Sequence, residues 1–326
     1  MIKVSDFSSL TDDLQSIFNE NAKRKIDESV GFKLFNTFDT NRRTYDHLIL
    51  HGVSGIKRVT PGQDLPKVNS EEGDSITYQQ EYFGAEIDVT KAMRLFDLYD
   101  QIEGLVKSLV TGAFDDVDQS FADVLTGGWA NSYTDVFGDS VSSVGPDALE
   151  LFHAAHTNPI NSASTFNNII TDGSNANASL SRDAIVHMMD SVGAVFEDPN
   201  SKIRPVNYDL LIVPPALNDL AERIIMSQYL PGSANNDINP LKGKMKIVKW
   251  SRLQKASDGT DTSAYWYLAD SSGVKESLKA LFAERPSLDA PEVVYANKNW
   301  AYSCDFFYAI GRGYPAYIAG SKGTNT

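Results

Sequence analysis

The chain has 326 residues, 42% hydrophobic and 10% aromatic, which is enough apolar side chain to bury one large core or two and excludes global disorder. Its 43 acidic and 29 basic side chains leave a net charge of −14, which argues against a dedicated nucleic-acid binder, because phosphate affinity needs clustered Lys and Arg. Cys304 is the only cysteine, so an internal disulfide and a thiolate zinc cluster are excluded. Apolar runs such as Leu210-Leu211-Ile212-Val213 fall far short of the roughly 20 residues that span a bilayer. Met1-Ile2-Lys3-Val4-Ser5-Asp6 lacks the apolar stretch of a secretory signal, and the expectation is a protein made and kept in a cytoplasm.

In chain order, the first fifty residues mix short apolar clusters with Lys23-Arg24-Lys25 and Arg42-Arg43 and read as an arm with helical pieces. Glycines and prolines then punctuate Ile56 to Val59 and Ile76 to Phe83, which predicts a long hairpin too poor in apolar residues to stand without a partner surface. After Thr90, a plausible N-cap, apolar residues recur every three or four positions from Met93 to Val124, through Phe96, Ile102, Val106, Val117 and Phe121. This predicts one helix of about 35 residues, roughly 50 Å long, ended by Thr126-Gly127-Gly128. Gly104 and Gly112 inside it cost about 1 kcal/mol each against alanine, so a bend or a close neighbour is expected there.

A turn-rich region follows, then a second amphipathic helix from Ser181 to Phe196 ended by Asp198-Pro199. Tyr208 to Val213 reads as a buried strand, and Pro214-Pro215 leads into a helix through Leu217, Ala221 and Ile225. Met245 to Trp250 and Ala264 to Ala269 flank the turn Asp258-Gly259-Thr260-Asp261 and read as a hairpin; Ser277 to Phe282 fits either strand or helix. Trp300, Tyr302, Cys304, Phe306 and Tyr308 alternate with polar or small residues, the period of a half-buried strand, and Gly311-Arg312-Gly313 reads as the turn that ends it.

Candidate chemistry is thin. His153 and His156 are three apart, with Asp147 and Glu150 as nearby carboxylates, but the spacing and the missing glutamate base do not fit a zinc hydrolase of the HExxH type, and a structural or interface pair is favoured. His47 and His51 read as packing residues. Asp115, Asp116 and Asp118 cannot all point one way from a helix, so a solvated or interface face outweighs a magnesium site; near the helix C-terminus they call for neighbouring cations. No GxSxG elbow and no phosphate-binding glycine loop is present, and Cys304 reads as a small buried apolar residue. The reading assigns no catalytic, cofactor-binding or metal residue and no cofactor.

The order of elements carries more than any motif. Tyr82-Phe83-Gly84-Ala85-Glu86-Ile87-Asp88-Val89-Thr90, Leu151-Phe152-His153-Ala154-Ala155-His156-Thr157-Asn158 with Asn167 and Asn168, and Arg204 to Leu217 followed by Ala221 resemble stretches of the major capsid proteins of tailed bacteriophages. That resemblance implies an α+β chain with the Hong Kong 97-type capsid fold: an N-terminal arm (1–51), an extended loop (52–86), a peripheral domain with the spine helix (87–203), an axial domain (204–290) and a returning peripheral strand (291–326). It implies a structural, non-enzymatic subunit that assembles with itself into the pentamers and hexamers of an icosahedral head. The expected setting is a virion shell, built in the host cytoplasm without membrane contact. The expected partners are a scaffold protein or protease, a portal protein, a decoration protein, and packaged double-stranded DNA bound without sequence specificity. A family scaffolding segment of about a hundred residues would be absent, already removed, or replaced by a separate protein. Lys57 and Lys67 lie where some members crosslink, but no crosslink is carried over. The alternatives are an encapsulin-like nanocompartment shell and, behind it, a metal-dependent hydrolase using His153 and His156.

Overall fold

The computed structural model describes residues 4–51, 58–65, 71–96, 99–145, 147–157, 165–197, 203–229, 237–294 and 299–325. Helix α1 (Val4–Glu28) opens the chain and the single turn α2 (Gly31–Leu34) follows, then strands β1 (Asn36–Asp39) and β2 (Thr44–His51). β2 pairs with β3 (Glu71–Gln79) in a two-stranded ribbon. The hairpin's first strand thus precedes the expected one. Of Ile56 to Val59, Ile56 and Lys57 lie outside the described residues, and Arg58 and Val59 are not in a strand. The expected strand Ile76 to Phe83 is divided at Gln80 between β3 and β4 (Glu81–Val89). The buried Gln80 amide donates to the carbonyls of Thr40 and Arg42 at 3.0 and 2.9 Å, fixing the break between the two strands.

Thr90 caps the next helix as expected, its hydroxyl accepting the Met93 N–H at 3.2 Å. That helix is short: α3 (Lys91–Leu95) ends at Phe96, which is 77% exposed, and α4 (Tyr99–Thr126) is a separate element. The expected single rod is therefore two helices. Apolar spacing marks which positions share a face, but it does not report where the backbone ladder stops. In α4 the stripe holds: Ile102, Val106, Val117, Phe121 and Val124 are buried. Gly104 and Gly112 have open space where a Cβ would stand, so no close neighbour among the described residues accounts for them, and α4 runs through both.

Two small hairpins follow, β5 (Ser132–Thr134) with β6 (Ser140–Ser142) and β7 (His156–Thr157) with β8 (Thr165–Phe166). The expected helix from Ser181 to Phe196 is α5 (Arg182–His187), capped by the Ser181 hydroxyl, continuing as a π-helix over Met188–Gly193. The widened turn coincides with a tight backbone approach: a Cβ on Gly193 would lie 2.6 Å from the Val206 carbonyl oxygen, and Val206 N–H donates to the Gly193 carbonyl at 2.9 Å. The remaining elements are β9 (Leu210–Val213), α6 (Pro215–Met226), β10 (Lys246–Lys249), β11 (Trp266–Ala269), α7 (Val274–Ser277), β12 (Leu278–Leu288), β13 (Glu292–Val294), β14 (Asn299–Arg312) and β15 (Ile318–Ser321). The ambiguous Ser277 to Phe282 is thus mostly strand, and β15 is an element that the sequence reading missed.

The chain divides into two compact units. The first comprises Met1–Tyr45, Tyr78–Phe121 and Ala280–Ile310. Its sheet runs β1-β12-β14-β13, with β4 also paired to β14 antiparallel from Trp300↔Val89 to Tyr308↔Glu81. The alternation along β14 buries Tyr302, Cys304, Phe306 and Tyr308. Leu14, Phe18 and Ala22 of α1 pack into one core with Val106, Val110 and Phe114 of α4, so the expected arm contributes a core helix here. Each fully buried large side chain contributes about 1.5–3 kcal/mol.

The second unit comprises Asp46–Thr77, Ala122–Lys279 and Gly311–Thr326. Its four-stranded sheet has the order β10-β9-β11-β15. β10 runs parallel to β9, whereas β11 is antiparallel to β9 and to β15. The expected hairpin of Met245–Trp250 with Ala264–Ala269 is therefore wrong: both strands pair with β9. β9 is apolar throughout and takes a central position, and α6 supplies the crossover that parallel pairing with β10 requires. Trp266 and Leu268 of β11 share a core with Ala221 and Ile225 of α6, Ile185 of α5 and Met188 of the π-helix.

Candidate functional site

The histidine stretch lies within the second unit, and its chemistry is structural. Leu151 and Phe152 are buried, the Phe152 ring stacking 4.7 Å from Trp129 and 5.4 Å from Tyr267 between centroids. Gly320 of β15 leaves room for this plug, since a Cβ there would stand 2.9 Å from the Phe152 ring. The backbone on either side of Phe152 is held by Asn168, itself 1% exposed. Its amide donates to the carbonyls of Leu151 and Pro315 at 2.7 and 3.3 Å, and its oxygen accepts the His153 N–H at 2.9 Å.

His156 is fully buried, and each ring nitrogen faces an oxygen: Nδ1 lies 2.5 Å from the Asp147 carboxylate and Nε2 donates to the Leu151 carbonyl at 3.1 Å. Asp147 also receives the Arg312 guanidinium at 2.6 Å, and the same guanidinium donates to the Glu150 carbonyl at 2.9 Å. Burial acts to raise the Asp147 carboxyl, but the hydrogen bond from His156 and the charge of Arg312 outweigh it and hold the group below its ordinary value. Gly145 makes the space for Arg312: a Cβ there would stand 1.6 Å from a guanidinium nitrogen. Arg312, read from sequence as part of a turn, is thus the last residue of β14 and the partner of the acidic loop. A basic residue between two glycines after an apolar strand was the available signal.

The expected His153 and His156 pair does come together, with ring centroids 5.9 Å apart, but not as a ligand set. His153 Nδ1 accepts the Ala155 N–H at 3.1 Å and both nitrogens of His156 are engaged. Among the described residues no group of three or more His, Cys, Asp or Glu is arranged to hold a metal ion.

This geometry packs a loop, and comparison with known proteins gives the chain its family. The phage capsid protein family matches residues 72–319. The chain belongs to that family. No curated protein sequence matches it. The capsid of Myoviridae phage XM1 is similar over 89% of this chain and 89% of its own, at 10% identity and a TM-score of 0.52. The capsid of cyanophage P-SCSP1u covers 91% and 89% at 10% identity and a TM-score of 0.51. The mature capsid of bacteriophage PhiM1 covers 92% and 88% at 14% identity and a TM-score of 0.50. The fold is the Hong Kong 97-type capsid fold, and the chain is a structural major capsid protein.

The other candidate residues of this capsid protein serve its own packing. Asp115 pairs with Lys25 of α1 at 3.0 Å, so a cation expected from a neighbouring subunit comes from within the chain. Asp118 accepts the Ser29 hydroxyl at 2.5 Å and the Gly31 N–H at 3.3 Å, tying down the start of α2. Cys304 is buried, and burial, with Asp305 and Asp289 nearby, pushes its thiol up to about 12. His47 is lowered by burial and by the Lys279 charge, and Glu276 opposes this. Lys57 and Lys67 lie outside the described residues. In the hairpin region, Thr60-Pro61-Gly62-Gln63 closes a turn by a 3.1 Å bond from Gln63 N–H to the Thr60 carbonyl, with Gly62 at φ +92°. Leu65 beside it is 81% exposed.

Proposed function

We propose that this capsid protein forms the pentamers and hexamers of an icosahedral head around packaged double-stranded DNA and carries no catalytic activity. The observation that supports this reading most is the match of the capsid family across residues 72–319. The ribbon of β2 and β3 adds a physical reason: a two-stranded sheet is marginal alone, and Leu65 between the two strands is exposed, so neighbouring copies are the natural cover. The net charge of −14 suits a lining that holds DNA without adhering to it. The roles of arm, extended loop, peripheral domain, axial domain and returning strand belong to the same proposal. So do assembly in the host cytoplasm and a scaffold or protease, a portal and a decoration protein as partners.

Negative-stain electron microscopy of the protein expressed alone, paired with size-exclusion light scattering, tests it. Closed shells or capsomer rings are the expected result. A discrete monomer under every condition, including co-expression with a scaffold from the same genome, would sink the reading. The family match favours a phage head over a nanocompartment, and genome neighbours encoding a terminase and portal rather than a peroxidase or ferritin-like protein would test that choice. The hydrogen bonds already made by His153 and His156 weigh against the hydrolase. Stoichiometric zinc or iron that is lost on His153→Ala would reverse that judgement.

A further inference from the structure

From Ile238 to Ser257 the chain carries Lys242, Lys244, Lys246, Lys249, Arg252 and Lys255 and no Asp or Glu, although the whole chain has a net charge of −14. The rest of the molecule is therefore more acidic still. The structure gathers these cations on the outer strand of the second unit's sheet: two precede β10, two lie on it, and two follow in and after the 3-10 turn Ser251–Gln254. All five lysines are exposed, while Leu241, Met245, Trp250 and Leu253 between them are buried, so the strip is anchored by its apolar residues and turns its charge outward. Among the described residues none of the five lysines takes part in an ion pair. Apolar surface adjoins the strip: Tyr229 and Ile238 form a bridge and are 47% and 80% exposed. Lysines that guard a sheet edge against stray pairing would explain Lys246 and Lys249, but not the four cations beyond β10.

The opposite edge of the same sheet carries aspartates, and Lys322 just past β15 lies over the Trp129 ring, 5.2 Å from its centroid. There Ile169 bridges Gly320 of β15, and the following loop carries the half-buried Asp172. Its carboxylate accepts the N–H groups of Ser174 and Asn175 at 2.8 and 2.7 Å. His187 Nδ1 lies 3.2 Å from the Thr171 hydroxyl, which brings the end of α5 beside this loop. Asp183, His187 and Asp190 are spaced four and three apart along the helix, and both aspartates are exposed, Asp183 meeting Arg182 at 3.0 Å. A molecule with one basic and one acidic edge attracts its copies head to tail and repels them edge to like edge. Heterologous contacts of that kind close rings when the rotation between copies closes, and otherwise run on as filaments.

We propose that the basic strip Lys242–Lys255 of one copy docks on the acidic edge formed by Asp172, Asp183 and Asp190 of the next, as a head-to-tail contact within the capsomer ring. This rests on the shell reading above. The test uses two full-length variants, Lys244→Glu/Lys246→Glu/Lys249→Glu and Asp183→Lys/Asp190→Lys, followed by sedimentation velocity and electron microscopy, with thermal melts to show that both remain folded. Each variant alone should need roughly a hundredfold more protein to form rings. Mixed together they should restore six-membered rings, in which they can alternate, but not five-membered ones. Should the reversal variants misfold, Lys→Gln at the same three positions should show the same loss in weaker form. Assembly of both variants at the wild-type concentration would overturn the inference and leave the shell reading intact. So would unchanged assembly with lost DNA retention, which would assign the strip to nucleic-acid phosphates. A wild type that never assembles would overturn both.

Discussion

Arg312 reaches the Asp147 carboxylate and the Glu150 carbonyl from a side chain that is 4% exposed, and it lies over a glycine that leaves it space. Removing one member of such a buried pair leaves the other charge uncompensated, so Arg312→Ala should cost about 3–5 kcal/mol in chemical denaturation. The depressed Asp147 carboxyl gives a pH signature. Its contribution is complete well above the ordinary value of 3.8 and is lost as pH falls through the lower folded value. The denaturation midpoint of the wild type should therefore drop in that acid window, and Asp147→Asn should flatten the drop. Cys304, with its thiol at about 12, should resist iodoacetamide at pH 8 in the native protein and react once urea unfolds it. Rapid native labelling would contradict the burial described here. Of these residues, Cys304 was legible in advance from the alternation of β14. Arg312 was not, because its partners lie about 160 positions away in sequence.

α4 shows what periodicity can and cannot deliver. Its buried face follows the spacing of Ile102, Val106, Val117 and Phe121, because a 3.6-residue period is a local property of the backbone. Its separation from α3 is not in that pattern, nor is the empty space around Gly104 and Gly112. With nothing within 4 Å and exposed helical positions, Gly112→Ala should stabilise the protein by about 0.5–1 kcal/mol, read as a raised urea midpoint. A loss would mean that a neighbouring subunit packs against this glycine. The wrongly expected hairpin of β10 and β11 has a similar origin. Turn residues at Asp258 to Asp261 are real, with Asp258 accepting the Thr260 N–H at 2.8 Å, but a turn does not choose which strands pair. The apolar β9 does, by lying between them.

For the whole molecule, the fold accounts for a subunit with two cores joined by repeated crossings of the chain. Among the described residues β2 and β3 form a two-stranded sheet of their own. Deleting Pro61 to Asp74 should therefore leave a soluble subunit with a normal melt that fails to form shells by light scattering and electron microscopy. Normal shells from that deletion would remove the assembly role given to the hairpin.

The sequence alone carried the local grammar: the Thr90 cap, the α4 stripe, the alternation of β14, the strand and proline break of β9 and α6, and the element order that resembles capsid subunits. These are set within a few residues by dihedral preference, side-chain period and turn chemistry. Tertiary structure alone decided that α1 joins the first core, that β10 lies parallel to β9, that β15 completes the second sheet, and that Asp147, His156 and Arg312 meet. Those outcomes depend on long-range burial and charge pairing, in which residues far apart in the chain compete for the same partner, and no local pattern records which of them wins.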